Sequence, residues 1–355
     1  MKIKYYRSII FCRTPLETNF RFNDLFQIYP CDFENSPKSE RNDEIPIVIE
    51  YWVDEDENPE VSEDLIDIKS FVSSSTNQIN KLNRITRLLT ATTNHRFSSG
   101  LGSGISWGIT LPEQNNFEEN EEEYNNQSSQ NFINLYYYPN MAKDLKITEF
   151  SKQIHSDSKL VSHKEYFIND PFDDKTKIIT FPNTIKSILE NYLNLDIASR
   201  KIVDTVAHLI CNGIDLKLKM KSISFLTLVS SIETLVNFEY KNQKEGIKYA
   251  CNDCQTLQES PIKCKNCGRP IWGVRAKFKS FLKTYVASSS YSVKKYNRIY
   301  DLRCNIVHDG LLLLGDEQFD WTKSEKEDSQ WLTHIETIQL ARLSLVNWIL
   351  LRQNK

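Results

Sequence analysis

The sequence predicts an α+β protein: a mostly-β front half, residues 1–182, followed by an all-α bundle, residues 183–355, with a cysteine-rich finger inserted at about 249–272. Three observations predict it. Up to about residue 160, apolar and aromatic residues come in short runs bounded by Pro, Asn and acidic clusters, as strands do. From Pro182 onward they recur at three- and four-residue spacing instead. Between the third and fourth of these periodic stretches, four cysteines form two close pairs.

Length and charge narrow the classes. At 355 residues the chain can bury two cores. The net charge of −3 is unevenly divided. Residues 1–182 hold 19 Lys and Arg against 29 Asp and Glu, −10, whereas residues 183–355 hold 25 against 18, +7. A polyanion is therefore expected at the back half, although attraction between the halves explains the same split. No run reaches membrane-spanning length, and Ser8–Cys12 is too short and mixed for a signal-peptide core. Cys12, Cys31, Cys211 and Cys304 are scattered rather than set in a disulfide framework, so a cytoplasmic protein without a membrane partner is expected.

Along the front half, Ile47–Val53 reads as a strand, with Pro46 at its start where no ladder hydrogen bond is lost. Ile105, Trp107 and Ile109 alternate with small residues, and Phe132–Tyr138 is a second aromatic run. The Glu-, Asn- and Gln-rich segment 112–131 reads as a loop, and the glycines of 100–104 as a turn, since no lysine or helix follows as a phosphate loop requires. One helix interrupts the strands: Ile79, Leu82, Ile85, Leu88 and Leu89 recur between Ser75 and Asn94. His95 beyond it reads as a structural histidine.

The back half reads as successive helices. Ile185–Leu195, Ile202–Ile210 and Phe225–Phe238 form the first three, and Glu233 lies in the apolar stretch of the third. A buried carboxylate needs a partner. Val274–Leu282 starts a fourth, Ser290 begins a fifth, and Trp331–Ile349 closes the set. Helices with apolar stripes joined by short connections pack as a bundle.

The fifth helix carries the residues with a specific chemistry. Arg303 and His308 lie five positions apart, and Gly310 then stops the helix. A neutral imidazole can take the proton of a ribose 2′-hydroxyl. A guanidinium can hold two phosphate oxygens and stabilise charge gathering on phosphorus. Together they could cleave RNA without a metal. Five residues turn an ideal helix by about 500°, so the side chains start about 140° apart; the length of arginine and a frayed helix end would bring them together. An Arg303 paired with Asp301 or Glu233, and a His308 that only caps the helix, explain the same residues without catalysis.

The string Leu302–Gly310 resembles the ApeA-like branch of the HEPN superfamily, whose ribonuclease members carry Arg, four to six residues, then His. Here Cys304 follows the arginine, where the superfamily often has Asn, Asp or His, and Asn305 comes one place later. The resemblance covers roughly residues 183–355. It implies a helical HEPN bundle that acts as a homodimer, with two motifs facing one cleft. It further implies a metal-independent endoribonuclease, with His308 as general base, Arg303 as phosphate ligand, and Asn305 and Glu233 as helpers. The RNA would come from host or phage, tRNA included, in abortive anti-phage defence, with a phage-derived trigger met by the front half. The alternative is a non-catalytic RNA- or protein-binding sensor.

Cys251, Cys254, Cys264 and Cys267 have the spacing of a structural zinc site, one ion per chain. Four thiolates fill the coordination shell, so the ion is structural and no catalytic metal is expected. Gly268 lets the backbone turn back on the sulfurs. Lys277 and Lys279 follow the finger, and Lys294, Lys295 and Arg298 stand between the apolar positions of the fifth helix. These five are the candidate RNA-binding cations, with a solvated helix face as their plain alternative.

Overall fold

The computed structural model describes residues 3–33, 44–54, 66–99, 144–151, 154–168, 176–241, 248–250, 254–259, 263–264, 266–268, 272–313, 316 and 324–352. The chain divides into two compact units, residues 1–184 and 185–355. An antiparallel sheet in the first and a run of helices in the second make the protein α+β. The readings of 100–104, Ile105–Ile109, 112–131 and Phe132–Tyr138 fall outside the described residues.

In the first unit, β1 (Ile3–Cys12), β2 (Phe20–Phe22), β3 (Phe26–Pro30) and β4 (Ile45–Asp54) form one sheet in the order β1-β4-β3-β2. Every pair is antiparallel. Residues 47–51 of β4 and 8–12 of β1 are buried without alternation, so both faces of the sheet's middle are covered. That explains why Ile47–Val53 reads as a β-branched and aromatic run rather than as a period-two pattern. Pro46 lies opposite Phe11 and beyond the end of β3, whose ladder stops at Pro30 and Ile47.

A polar row crosses this apolar sheet. Register sets Arg7 of β1 and Gln27 of β3 directly opposite Glu50, which is fully buried. Arg7 Nε donates to Glu50 at 2.8 Å, Gln27 Nε2 at 2.7 Å, Tyr29 Oη at 2.8 Å and Ser151 Oγ at 2.5 Å. Burial alone would raise the Glu50 carboxyl, but the bonds from Ser151, Tyr29 and Arg7 outweigh it and hold the group below its ordinary value. Burial beside this carboxylate pushes the Tyr29 phenol up.

Helix α1 (Ile66–Thr92) packs against β4. It begins before Ser75, where the sequence places its start. Ser and Thr favour an N-cap by about 1 kcal/mol, but a nucleated helix runs through them at a few tenths each. His95 is buried and its Nε2 receives the amide of Thr180 at 3.3 Å. The short β5 (Leu160–Val161), α2 (His163–Ile168) and β6 (Phe181–Pro182) complete the unit.

In the second unit the helices are α3 (Ile185–Asn194), α4 (Ile197–Leu216), α5 (Lys221–Glu239), α6 (Val274–Tyr285), α7 (Ser290–Asp309) and α8 (Ser324–Arg352). The hairpin β7 (Lys248–Ala250) and β8 (Leu257–Glu259) interrupts them between α5 and α6. Asp196 starts α4 by accepting from the Ser199 amide at 3.0 Å. No described helix is long and apolar enough to cross a membrane.

Helices α4 and α5 approach closely where Gly213 meets Leu228; a Cβ there would stand 2.6 Å from Leu228 Cγ. Beside it, Ser224 donates its one proton to Gly213 O, so the 2.7 Å contact from Ser224 Oγ to His334 Nε2 requires the hydrogen on that nitrogen. His334 is 2% exposed. Burial, with Lys217 adding to it, pushes the imidazole down to about 4. The α5 N-terminus is closed by Asp316, which accepts from the amides of Lys221 at 2.7 Å and Ser222 at 2.5 Å. At the other end of α5, Glu239 receives Tyr285 Oη, Trp348 Nε1 and Arg352 Nη1, which ties α6 and α8 to it.

Two predictions follow from these buried groups. Glu50→Ala leaves Arg7 without its counter-charge and is expected to destabilise the first unit by about 3 kcal/mol, read from denaturant midpoints. The His334 imidazole binds its proton more weakly folded than unfolded, so its contribution is complete above the ordinary value of 6.5 and falls as pH drops toward 4. Between pH 7 and pH 4 the second unit should lose about 3 kcal/mol through this residue. Denaturant melts of the parent chain and of His334→Gln across that range check it, since the variant should lack this part of the slope.

Candidate functional site

Helix α7 positions most of the candidate residues. Ser289 caps its start, accepting the Ser292 amide at 3.1 Å. Gly310 ends it at φ +67°, where glycine meets no Cβ penalty, and the amides of Gly310 and Leu311 both return to Asn305 O. The helix is therefore regular through Asp309, and the frayed end that the sequence allows at His308 is not there. The angle of about 140° between Arg303 and His308 is kept.

Arg303 leaves α7 on the side of Tyr296, Ile299, Tyr300 and Ile306, all buried. Its Nε stands 3.4 Å from Glu233 Oε1 of α5, and its guanidinium carbon 5.9 Å from the centre of the Tyr300 ring. The contact with Glu233 is an ion pair without hydrogen-bond geometry, and the buried Oε1 has no hydrogen bond among the described residues. Burial raises the Glu233 carboxyl, and Arg303 offsets part of that rise. Glu233 approaches the Nε edge. Among the described residues, neither Nη nitrogen of Arg303 makes a hydrogen bond.

His308 is exposed and has no hydrogen bond or ion pair among the described residues. Asn305 lies about 60° from it around the helix and about 160° from Arg303. The four candidate catalytic residues thus fall into two pairs: Arg303 with Glu233 on the core-facing side of α7, and Asn305 with His308 on the outer side.

The outer side lines a groove of about 460 Å³. Lys294, Asn297, Arg298, Asp301, Leu302 and Asn305 contribute from α7, and Gln330 and Thr333 from α8. Side chains bridge the two helices: Lys295 Nζ and Arg298 Nη2 each reach Glu336 at 2.6 Å. Burial alone would lower the Lys295 ammonium, but Glu336 outweighs it and raises the group. Arg275 of α6 pairs with Asp301 at 2.8 Å. Of the five candidate RNA-binding cations, Lys294 and Arg298 therefore line the groove, Lys295 is held beside it, and Lys277 and Lys279 stand on α6.

Asn297, Gln330, Thr333 and Glu336 were not foreseen from the sequence. Asn297 was legible in principle, because Lys294, Asn297, Arg298, Asp301 and Asn305 recur at helical spacing opposite the apolar face. The α8 residues were not, because nothing local to either segment says which helices adjoin.

A second cluster lies in the finger. The sulfurs of Cys254, Cys264 and Cys267 lie within 4.8 Å of one another, close enough to hold one metal ion. Cys254 and Cys264 are 3.3 Å apart, too far for a disulfide and near the roughly 3.8 Å between sulfurs of a tetrahedral site with metal–sulfur bonds of about 2.3 Å. Gly268, at φ +69°, returns its amide to Cys264 O at 2.8 Å and folds the chain back beside the sulfurs. Cys251 lies outside the described residues.

Neither family models, nor curated proteins, nor solved structures gave a match to this chain. The resemblance to the HEPN superfamily thus rests on the sequence motif alone.

The finger offers a direct test. Cys264→Ser removes a buried sulfur and should lower both bound metal per chain and the thermal midpoint, because such a site binds metal and folds as one event. Elemental analysis of protein purified without chelator checks it; a parent chain without stoichiometric metal contradicts the site.

Proposed function

We propose that the helical unit is a metal-independent endoribonuclease of the HEPN type, and that the finger holds one structural zinc. One observation carries the catalytic part: Arg303 stands beside Glu233 through Nε with no hydrogen bond on its Nη edge among the described residues, while His308 stands exposed at the end of the same helix. In the proposed reaction, His308 takes the proton of a 2′-hydroxyl as that oxygen attacks the adjacent phosphorus. Arg303 binds the non-bridging oxygens as negative charge gathers on them. The bond from phosphorus to the 5′-oxygen breaks, and that oxygen takes up a proton. The products are a 2′,3′-cyclic phosphate and a 5′-hydroxyl.

Because the two side chains leave α7 about 140° apart, the reading draws the pair from a homodimer in which two helix ends face one cleft. Val307, Leu311 and Leu312, exposed at the end of α7 by 47%, 59% and 44%, offer apolar surface for such a contact. Zinc suits the finger because thiolates are its usual structural ligands, with Cys251 as the fourth; a closed thiolate shell leaves no position for a reacting water. By resemblance, cleavage of host or phage RNA would serve abortive anti-phage defence in the cytoplasm, and the first unit would meet the trigger.

A second reading has its own observation. Arg303 faces α5 and His308 faces solvent on another side of α7, which suits a non-catalytic module that binds RNA or protein. Cleavage assays separate the two. His308→Ala and Arg303→Ala should each slow RNA cleavage at least about a hundredfold while the fold is kept. Excess chelator should not stop the chemistry directly. Full cleavage by the folded double variant would exclude the assignment, and RNA binding without cleavage by the parent chain favours the second reading.

A further inference from the structure

We propose that the groove between α7 and α8 takes an unpaired nucleotide of single-stranded RNA and reads its base. The inference rests on the reading of this unit as an RNA-cleaving module, and it names the form of RNA that the module meets.

The lining carries three kinds of chemistry side by side. Leu302, half-buried, gives an apolar floor on which a base can lie. Asn297, Asn305 and Gln330 are three primary amides, each with the donor and acceptor that a base edge requires. Asn305's amide has no hydrogen-bond partner among the described residues. Asn297 accepts from Arg275 through Oδ1 at 3.5 Å, and no contact occupies its NH₂ group among the described residues. Two cations stand with these amides. Lys294 has no ion pair among the described residues, and Arg298 uses Nη2 on Glu336. Phosphates on either side of a bound base would meet these two charges.

The size of the space suits one nucleotide. About 460 Å³ is in the range of small-ligand sites and accommodates a base with its sugar. Bases can be read by their edges when they are unpaired, whereas a duplex presents mostly its backbone and 2′-hydroxyls. The groove also points somewhere. Lys294, Asn297, Arg298, Asp301 and Asn305 form a stripe on α7, and His308 continues it three residues on, about 4.5 Å farther along the axis. A strand with its base between Asn297 and Asn305 would carry a neighbouring phosphate toward His308. An acidic peptide would use the cations but has no need of three amides around an apolar floor.

The test uses the full chain carrying His308→Ala, so that bound RNA stays intact, and fluorescence anisotropy with labelled hexaribonucleotides of A, C or U and with an RNA duplex. The tightest hexamer should bind about tenfold better than the weakest, and the duplex more weakly than any. Asn297→Leu and Asn305→Leu should each bring the three hexamers within about threefold of one another. Lys294→Glu should weaken all three alike and make the salt dependence shallower. Equal affinity for the three hexamers overturns the proposal, as does a base preference that survives both asparagine substitutions, or binding of an acidic peptide without binding of the hexamers. A chain that shows the preference but cuts no RNA once His308 is restored keeps the groove and removes the cleavage reading alone.

Discussion

A guanidinium on the core-facing side of a helix must find a counter-charge, and in the helical unit that need links two helices. Arg303 leaves α7 among buried aromatic and aliphatic side chains, and Glu233 of α5 answers it. Neither charge would be stable there alone, because the loss of solvation is larger than any single contact with apolar neighbours. Tyr296, Ile299, Tyr300 and Ile306 turn this face of α7 inward, and the pair satisfies the charge it carries. Once that face is set, the stripe from Lys294 to Asn305 has to turn outward, and the groove beside α8 and the exposure of His308 follow from it. The proposed chemistry inherits this division, since the phosphate ligand and the base lie on different sides of the helix.

Two other buried polar groups obey the same rule with opposite outcomes. Glu50 is surrounded by donors from two strands, β1 and β3, and from Ser151, so it stays ionised despite complete burial. His334 has a serine oxygen and aromatic edges around it, with lysines nearby, so it stays neutral. Burial disfavours the charged form of both groups; at Glu50 the donors aimed at it outweigh burial, whereas at His334 burial prevails and the lysines add to it. Both also carry specificity. A one-residue slip of β4 would take Glu50 away from Arg7 and Gln27, and a rotation of α8 would remove His334 from Ser224.

The finger solves a different problem. The segment between α5 and α6 is too short to enclose a core, so a cross-link must stand in for apolar burial. The hairpin and the turn at Gly268 bring three sulfurs together, and the proposed metal ion would supply a tie that the apolar residues of such a segment cannot.

The sequence by itself determined the elements whose signals are local. The change of apolar spacing at Pro182 marks the passage from sheet to helices, and the six helices of the second unit lie where that spacing places them. Ser289 and Gly310 bound α7 because a cap acts on its own helix end. The cysteine pairs announced the cluster of Cys254, Cys264 and Cys267 because these residues are close in sequence. Tertiary structure decided what depends on residues far apart in the chain. It extended α1 ahead of Ser75, and it covered both faces of β1 and β4, which hid their alternation. Above all, it set α8 beside α7. Apolar periodicity says that a helix has an inner face, but which neighbour covers each part of that face depends on packing between segments that share no local signal.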